Sequence, residues 1–192
     1  MSVNLSKGQT ISLAKSSGTP LTRVHMGLGW DAAKVRGFFG KVKEQDIDLD
    51  ASCLAYDARG QLVDQVWFSQ LRSKDGAITH TGDNRTGAGD GDDESIIVDL
   101  SAVNPAIVTL VFVVNSYSGE DFGQIENAFC RLVDLAGGAE IARYDLSGGG
   151  AHTAQIMAKL TRNGTEWAMK AIGDRTKGRT IQDMLPAVAA VL

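Results

Sequence analysis

Asp46-Ile47-Asp48-Leu49-Asp50-Ala51-Ser52-Cys53-Leu54 alternates charged or polar with apolar residues as far as Cys53. Strand side chains change face at every residue, so this period of two predicts a β-strand with unlike faces. Ile47, Leu49, Ala51 and Cys53 share the core face. Asp46, Asp48 and Asp50 share the other, within reach of one another. Asp57-Ala58-Arg59-Gly60 reads as a turn, and Leu62 to Ser69 as the partner strand of a hairpin. Val108 to Val114 is apolar apart from Thr109, the pattern of a central strand buried on both faces.

Further out, the same punctuation recurs. Val24 to Asp31 alternates, and so does Gln9 to Leu13. Ser73-Lys74-Asp75-Gly76 is a turn before Ala77 to His80, and Ile96 to Leu100 resumes β character. Two more hairpins are expected, one around Gly137-Gly138 and one at Asn163-Gly164. Lys34 to Gln45 is read as an exposed loop carrying Phe38-Phe39, and Phe122 to Ala128 as a linker with a helical turn. Thr180 to Leu192 is the one helical segment, with Pro186 kinking it or opening a new turn. About ten short strands with little helix imply an all-β fold, a β-sandwich or barrel. The 192 residues form a single domain, with no repeat and no low-complexity tract.

Apolar content of 43% and charged content of 22% are those of an ordinary globular chain, which argues against disorder. No basic run followed by an apolar one opens the sequence, and no apolar segment nears the ~20 residues that span a bilayer. A soluble, cytoplasmic protein is expected. Cys53 and Cys130 lie in apolar runs as buried free thiols, with no spacing that suggests zinc. No basic stripe is visible, which speaks against nucleic acid as a partner.

The net charge of −4 is concentrated. Asp83, Asp90, Asp92, Asp93 and Glu94 against Arg85 account for all of it within one glycine-rich loop. Two like charges 4 Å apart repel by roughly 4 kcal/mol at an effective dielectric of 20. The loop runs directly into an apolar strand, where a cation between the carboxylates removes that cost. Carboxylates, an Asn amide, a Thr hydroxyl and glycine-freed carbonyls are hard oxygen donors, and they suit Ca²⁺ better than Mg²⁺. The spacing is not that of an EF-hand. Counted from Asp83, the third position is Arg85 and the sixth Ala88; counted from Asp90, the twelfth is Ser101. A solvated acidic loop, Mg²⁺ and a catalytic carboxylate pair are the alternatives. The aspartates of 46–50, with Asp31 after Trp30, offer a second group of oxygens.

These residues resemble the TerD-type tellurite-resistance and stress-response family. The matching pieces are Gly27-Leu28-Gly29-Trp30-Asp31, the strand 46–52, Ser73-Lys74-Asp75-Gly76, and above all His80-Thr81-Gly82-Asp83-Asn84-Arg85-Thr86-Gly87 continuing through Glu94. Phe122-Gly123-Gln124 and Ala142 to Leu146 match further on. Trp67-Phe68 and Phe38-Phe39 resemble the TerZ-like branch. The resemblance implies a β-sandwich holding Ca²⁺, two ions being expected, and no catalytic activity. It implies a role in resistance to tellurite, phage and colicins. It also implies association with other Ter-type proteins and a TerC-type membrane partner, which would place the chain at the inner face of the membrane. Carried over by position, the metal ligands are Asp31, Asp48, Asp50, Asp83, Asn84, Thr86, Gly87, Asp92, Asp93 and Glu94. Ala88 departs from the family pattern and removes at most one peripheral ligand.

The rival function is a metal-dependent hydrolase that uses the loop carboxylates, with His80 as base. No nucleophile elbow, phosphate loop or metalloprotease signature accompanies them. His80 is instead expected to stabilise the loop.

Overall fold

Alternating burial along the chain assembles two six-stranded sheets, packed face to face. The computed structural model describes all residues except 1–2, 5, 14–19, 32, 37–41, 46, 87–90 and 147–149, and describes the backbone alone for 3, 33–36 and 42–45. The strands are β1 (Val3–Asn4), β2 (Thr10–Ser12), β3 (Arg23–Asp31), β4 (Ala33–Arg36), β5 (Val42–Gln45), β6 (Leu49–Asp57) and β7 (Leu62–Val66). They continue with β8 (Ile78–His80), β9 (Glu94–Asp99), β10 (Ile107–Ser116), β11 (Glu126–Asp134), β12 (Ala139–Asp145), β13 (Ala154–Asn163) and β14 (Glu166–Thr176). One sheet has the order β1-β12-β11-β3-β9-β8 and the other β2-β14-β13-β10-β6-β7. Pairing is antiparallel throughout both, except for β1 beside β12.

The expected hairpins form: β6–β7, β11–β12 and β13–β14 are paired neighbours. β10 lies between β6 and β13, and its Leu110 to Ser116 are buried, as a two-sided apolar run requires. The Lys34 to Gln45 segment differs from its reading as a loop. Its ends pair as β4 and β5, with Ala33 opposite Gln45 and Arg36 opposite Val42. The many charges there hid the pairing, because a small two-stranded ribbon needs no buried face. Phe38 and Phe39 lie outside the described residues. Phe122–Gln124 is a single 3₁₀ turn, and the linker ends sooner than expected, at Glu126 in β11.

Leu49, Ala51 and Cys53 of β6 enter the core between the sheets with Met26, Leu28, Trp30, Ile96 and Leu132. The opposite face of β6 is covered as well. Helix α1 (Ile181–Ala189) lays Ile181, Met184 and Val188 on Leu54, Tyr56, Val111, Val113 and Ile156. That i, i+3, i+7 spacing is one helical stripe. Arg179 and Thr180 N–H both donate to Asp183 Oδ2, which caps the start of the helix. The helix runs on through Pro186. The outward side of β6 therefore changes character along its length: apolar under the helix, acidic beyond its start.

Candidate metal centre

Asp48 precedes β6, Asp50 lies within it, and Asp83 follows β8 in the other sheet. Asp48 and Asp50 point the same way because they are two residues apart. The loop leaving β8 then folds over the end of β6, and one oxygen from each of the three carboxylates lies within 4.8 Å of the other two. They line a cleft of about 180 Å³ together with Phe68, Arg85 and Tyr117. The Phe68 and Tyr117 rings meet edge to face at 5.7 Å.

Each carboxylate is held by the scaffold. The Asp48 N–H donates to Ser118 Oγ at 3.0 Å, and its carbonyl accepts Tyr117 N–H at 2.8 Å. Asp50 is buried and accepts Asn115 Nδ2 at 3.0 Å; the same amide donates to Arg179 O at 2.8 Å, tying the cluster to the start of α1. Arg85 Nε stands 3.9 Å from Asp48 Oδ2, with its side chain mostly in solvent. Asp48 Oδ1 is buried and has no hydrogen-bond partner. Burial, with Glu94 and Asp48 adding negative charge, pushes the Asp50 carboxyl up to about 8. Burial and then Asp83 raise Asp48 as well. Three carboxylates this close, with one buried oxygen unmatched, are a donor set whose chemistry suits a hard cation.

A second group forms at the end of β3. Asp93 Oδ2 accepts Trp30 N–H at 3.0 Å, and Asn84 Nδ2 lies 2.9 Å from Asp93 Oδ1. Burial, followed by Asp31 and Asp92, raises the Asp93 carboxyl. Asn127 brings its amide to Asp31 Oδ2 at 2.6 Å. Asn127 was not legible in the sequence. It sits at φ 51°, beside the register shift between Glu126 and Phe129, where β11 bulges. Asn84 Oδ1 accepts both the N–H and the hydroxyl of Thr86, at 3.1 and 3.2 Å. Asn84 thereby joins the two halves of the loop.

Two expected ligands stand elsewhere. Glu94 is fully buried behind the clusters. Its Oε2 accepts Ala51 N–H at 2.7 Å and lies 3.3 Å from His80 Nε2, while Oε1 accepts Asn84 N–H at 3.2 Å. His80 Nδ1 accepts Gly82 N–H at 3.1 Å, which leaves the ring proton on Nε2, towards Glu94. Glu94 thus braces β9 to β6 and to the loop, and His80 stabilises that brace.

Asp92 turns outward across β3. Arg131 Nε and Nη2 grip it at 2.8 and 3.0 Å, and His25 Nε2 lies 3.2 Å away. It occupies the space above Gly27, where any Cβ would collide with its carboxylate. The structure brings it to neither oxygen cluster, since its charge is already matched. Gly87 and the rest of 87–90 lie outside the described residues, as does Asp46.

The Arg131–Asp92 pair gives a first prediction. Arg131→Met should lower stability by about 2–4 kcal/mol in urea unfolding, since it strands a carboxylate only 7% exposed. Asp92→Asn should leave the number of bound cations unchanged in calorimetry.

The chain matches a family model, described as the TerD domain, over residues 1–186. It is 47% identical over 184 residues to the tellurium resistance protein TerZ of Serratia marcescens, covering 95% of this chain and 94% of that one. It is 41% identical to the tellurium resistance protein TerD of the same organism, covering 93% of each chain. It is 40% identical to stress response protein SCP2 of Bacillus subtilis, over 96% of this chain and 98% of that one. A solved structure of a Streptomyces coelicolor homologue of telluride resistance protein shares the fold. Its TM-score is 0.69 at 24% identity, covering 84% of this chain and 94% of that one.

Proposed function

The chain belongs to the TerD family, and from that premise we propose that it is a calcium-binding, non-enzymatic binding module acting in tellurium resistance and the stress response. One observation carries the reading: Asp48, Asp50 and Asp83 converge on one cleft with a buried carboxylate oxygen left unpartnered. Asp48, Asp50 and Asp83 would hold one ion. Asp31 and Asp93 would hold a second, their carboxylates positioned by the amides of Asn127 and Asn84. The donors are all hard oxygens, which favours Ca²⁺. A bound cation supplies charge neutralisation, and the protein residues do the rest. Glu94 fixes the loop to β6, Arg131 holds Asp92 aside, and Asn84 ties the loop to itself. The surface so ordered is the part offered to partners, for which we propose other Ter-type proteins and a TerC-type membrane protein. Among the described residues, no helix is long and apolar enough to cross a membrane.

The position of His80 supports this reading over the hydrolase alternative. The His80 side chain is 0% exposed and faces Glu94 rather than the cleft. A proton acceptor must reach substrate directly or through one water.

Calorimetry on chelator-treated protein tests the proposal. Calcium uptake is expected, with one site lost in the Asp50→Asn/Asp83→Asn double variant. A dissociation constant of about 10⁻⁷ to 10⁻⁵ M marks a sensor, and a tighter one a structural site. No uptake at millimolar calcium overturns the reading.

A further inference from the structure

Arg85 lies in the loop that delivers Asp83 to the acidic cleft, two residues further on. The residues on either side of it are tied down. Asn84 N–H donates to Glu94 Oε1 at 3.2 Å, and Asn84 Oδ1 accepts the N–H and hydroxyl of Thr86. Asn84 and Thr86 are half-buried, while Asp83 and Arg85 are exposed. The loop therefore alternates, and Arg85 projects on the same side as Asp83. Both line the cleft with Asp48 and Asp50, and Arg85 is the one cation among the described residues that does.

Its contact with the cluster is loose. Arg85 Nε stands 3.9 Å from Asp48 Oδ2, and its side chain is 75% exposed. The pair between Arg131 and Asp92 is built differently. There two guanidinium nitrogens reach the carboxylate at 2.8 and 3.0 Å, and that carboxylate joins neither oxygen cluster. A bidentate pair is held by geometry as well as charge, whereas a single long contact to an exposed side chain costs little to open. Asp48 is thus partly neutralised without being taken out of use. Burial, Asp83 and Glu120 raise its carboxyl, and Arg85 alone among its neighbours pulls it down.

We propose that Arg85 is a tethered counter-ion of the cleft: it shields Asp48 and Asp83 while the site is ion-free, gives way when a divalent cation enters, and so sets the affinity of the site. The proposal rests on the calcium reading above and adds to it the residue that opposes binding. A divalent ion leaves the cluster less negative, so the attraction that Arg85 enjoys in the ion-free protein is reduced, and that loss is subtracted from the binding of the ion. Arg85 would be a positioning residue for charge, with no contact to the ion itself.

Calorimetry with calcium on chelator-treated protein, at low and high ionic strength, is the test. At about 10 mM salt, where screening is weak, Arg85→Gln should bind calcium about fivefold more tightly than the parent, the effect of one unit charge at about 4 Å in water. In about 1 M potassium chloride, where charges are screened within about 3 Å, the two should agree within about twofold. Arg85→Lys should stay close to the parent at both. Arg59→Gln, whose partner is Asp57 in the β6–β7 turn, should match the parent throughout. Melting temperatures give a second readout. Arg85→Gln should be less stable than the parent in chelator, and the gap should narrow in saturating calcium. A merely structural role for Arg85 predicts equal losses in both. Unchanged or weaker calcium binding by Arg85→Gln, a tightening that survives high salt, or equal losses of melting temperature would each overturn the proposal. If the parent takes up no calcium, the calcium reading falls and the role of Arg85 with it; if the parent binds and Arg85→Gln binds no more tightly, the role of Arg85 falls alone.

Discussion

Glu94→Ala is expected to lower folding stability by about 3–5 kcal/mol, by nearly the same amount in calcium and in chelator. The Glu94 carboxylate takes Ala51 N–H and Asn84 N–H and stands 3.3 Å from His80 Nε2. Removing it leaves two backbone donors facing a cavity, at about 1–3 kcal/mol for each buried group left unmatched. Ala51 belongs to β6 and Glu94 to β9, so the loss falls on the contact between the two sheets. Glu94→Gln, which keeps the volume and one acceptor, should cost less than half as much. Urea unfolding with and without calcium measures both. A loss seen only in calcium would return Glu94 to the ligand set and remove its role as a brace.

Stability should respond to pH in opposite directions with and without the metal. The Asp50 carboxyl titrates at about 8 in the folded chain, against an ordinary value of 3.8. A group raised by folding binds its proton more tightly in the native state. Its contribution is complete below the ordinary value and is lost as pH rises towards the folded one. In chelator, folding stability should therefore fall between about pH 4 and pH 8, by on the order of a few kcal/mol, and the melting temperature with it. The change belongs to Asp48, Asp50 and Glu94 together, since neighbouring carboxylates titrate as a group. Calcium binds the ionised form, so saturating calcium should reverse the slope. At a hundred times its dissociation constant, it should add about 2.7 kcal/mol per site. Binding near pH 7 should also release protons, which calorimetry in buffers of different ionisation enthalpy detects. A melting temperature in chelator that rises with pH across this window contradicts the buried cluster.

Part of this arrangement was visible in the linear order of residues. The alternation from Ile47 to Cys53 placed Leu49, Ala51 and Cys53 inside, and put Asp48 and Asp50 on one side, because a strand's period is a local property of the backbone. The same logic read β10 as central and set three hairpins at their turns. It failed for Lys34 to Gln45, because a charged ribbon leaves no apolar imprint. It also treated the loop carboxylates as equivalent, since spacing along a loop carries no direction.

Residue types and local periodicity were enough for an all-β fold, a sandwich or barrel, carrying crowded oxygen donors, since strand alternation and like-charge repulsion act between neighbours in the chain. The division of labour among the donors came from folding. Asp83 joined Asp48 and Asp50 from the opposite sheet, Asp92 was taken by Arg131 from β11, Glu94 turned inward to Ala51, and Asn127 arrived through a bulge. Each depends on a partner far away in sequence, and burial and hydrogen bonding are settled only when the two sheets close on each other.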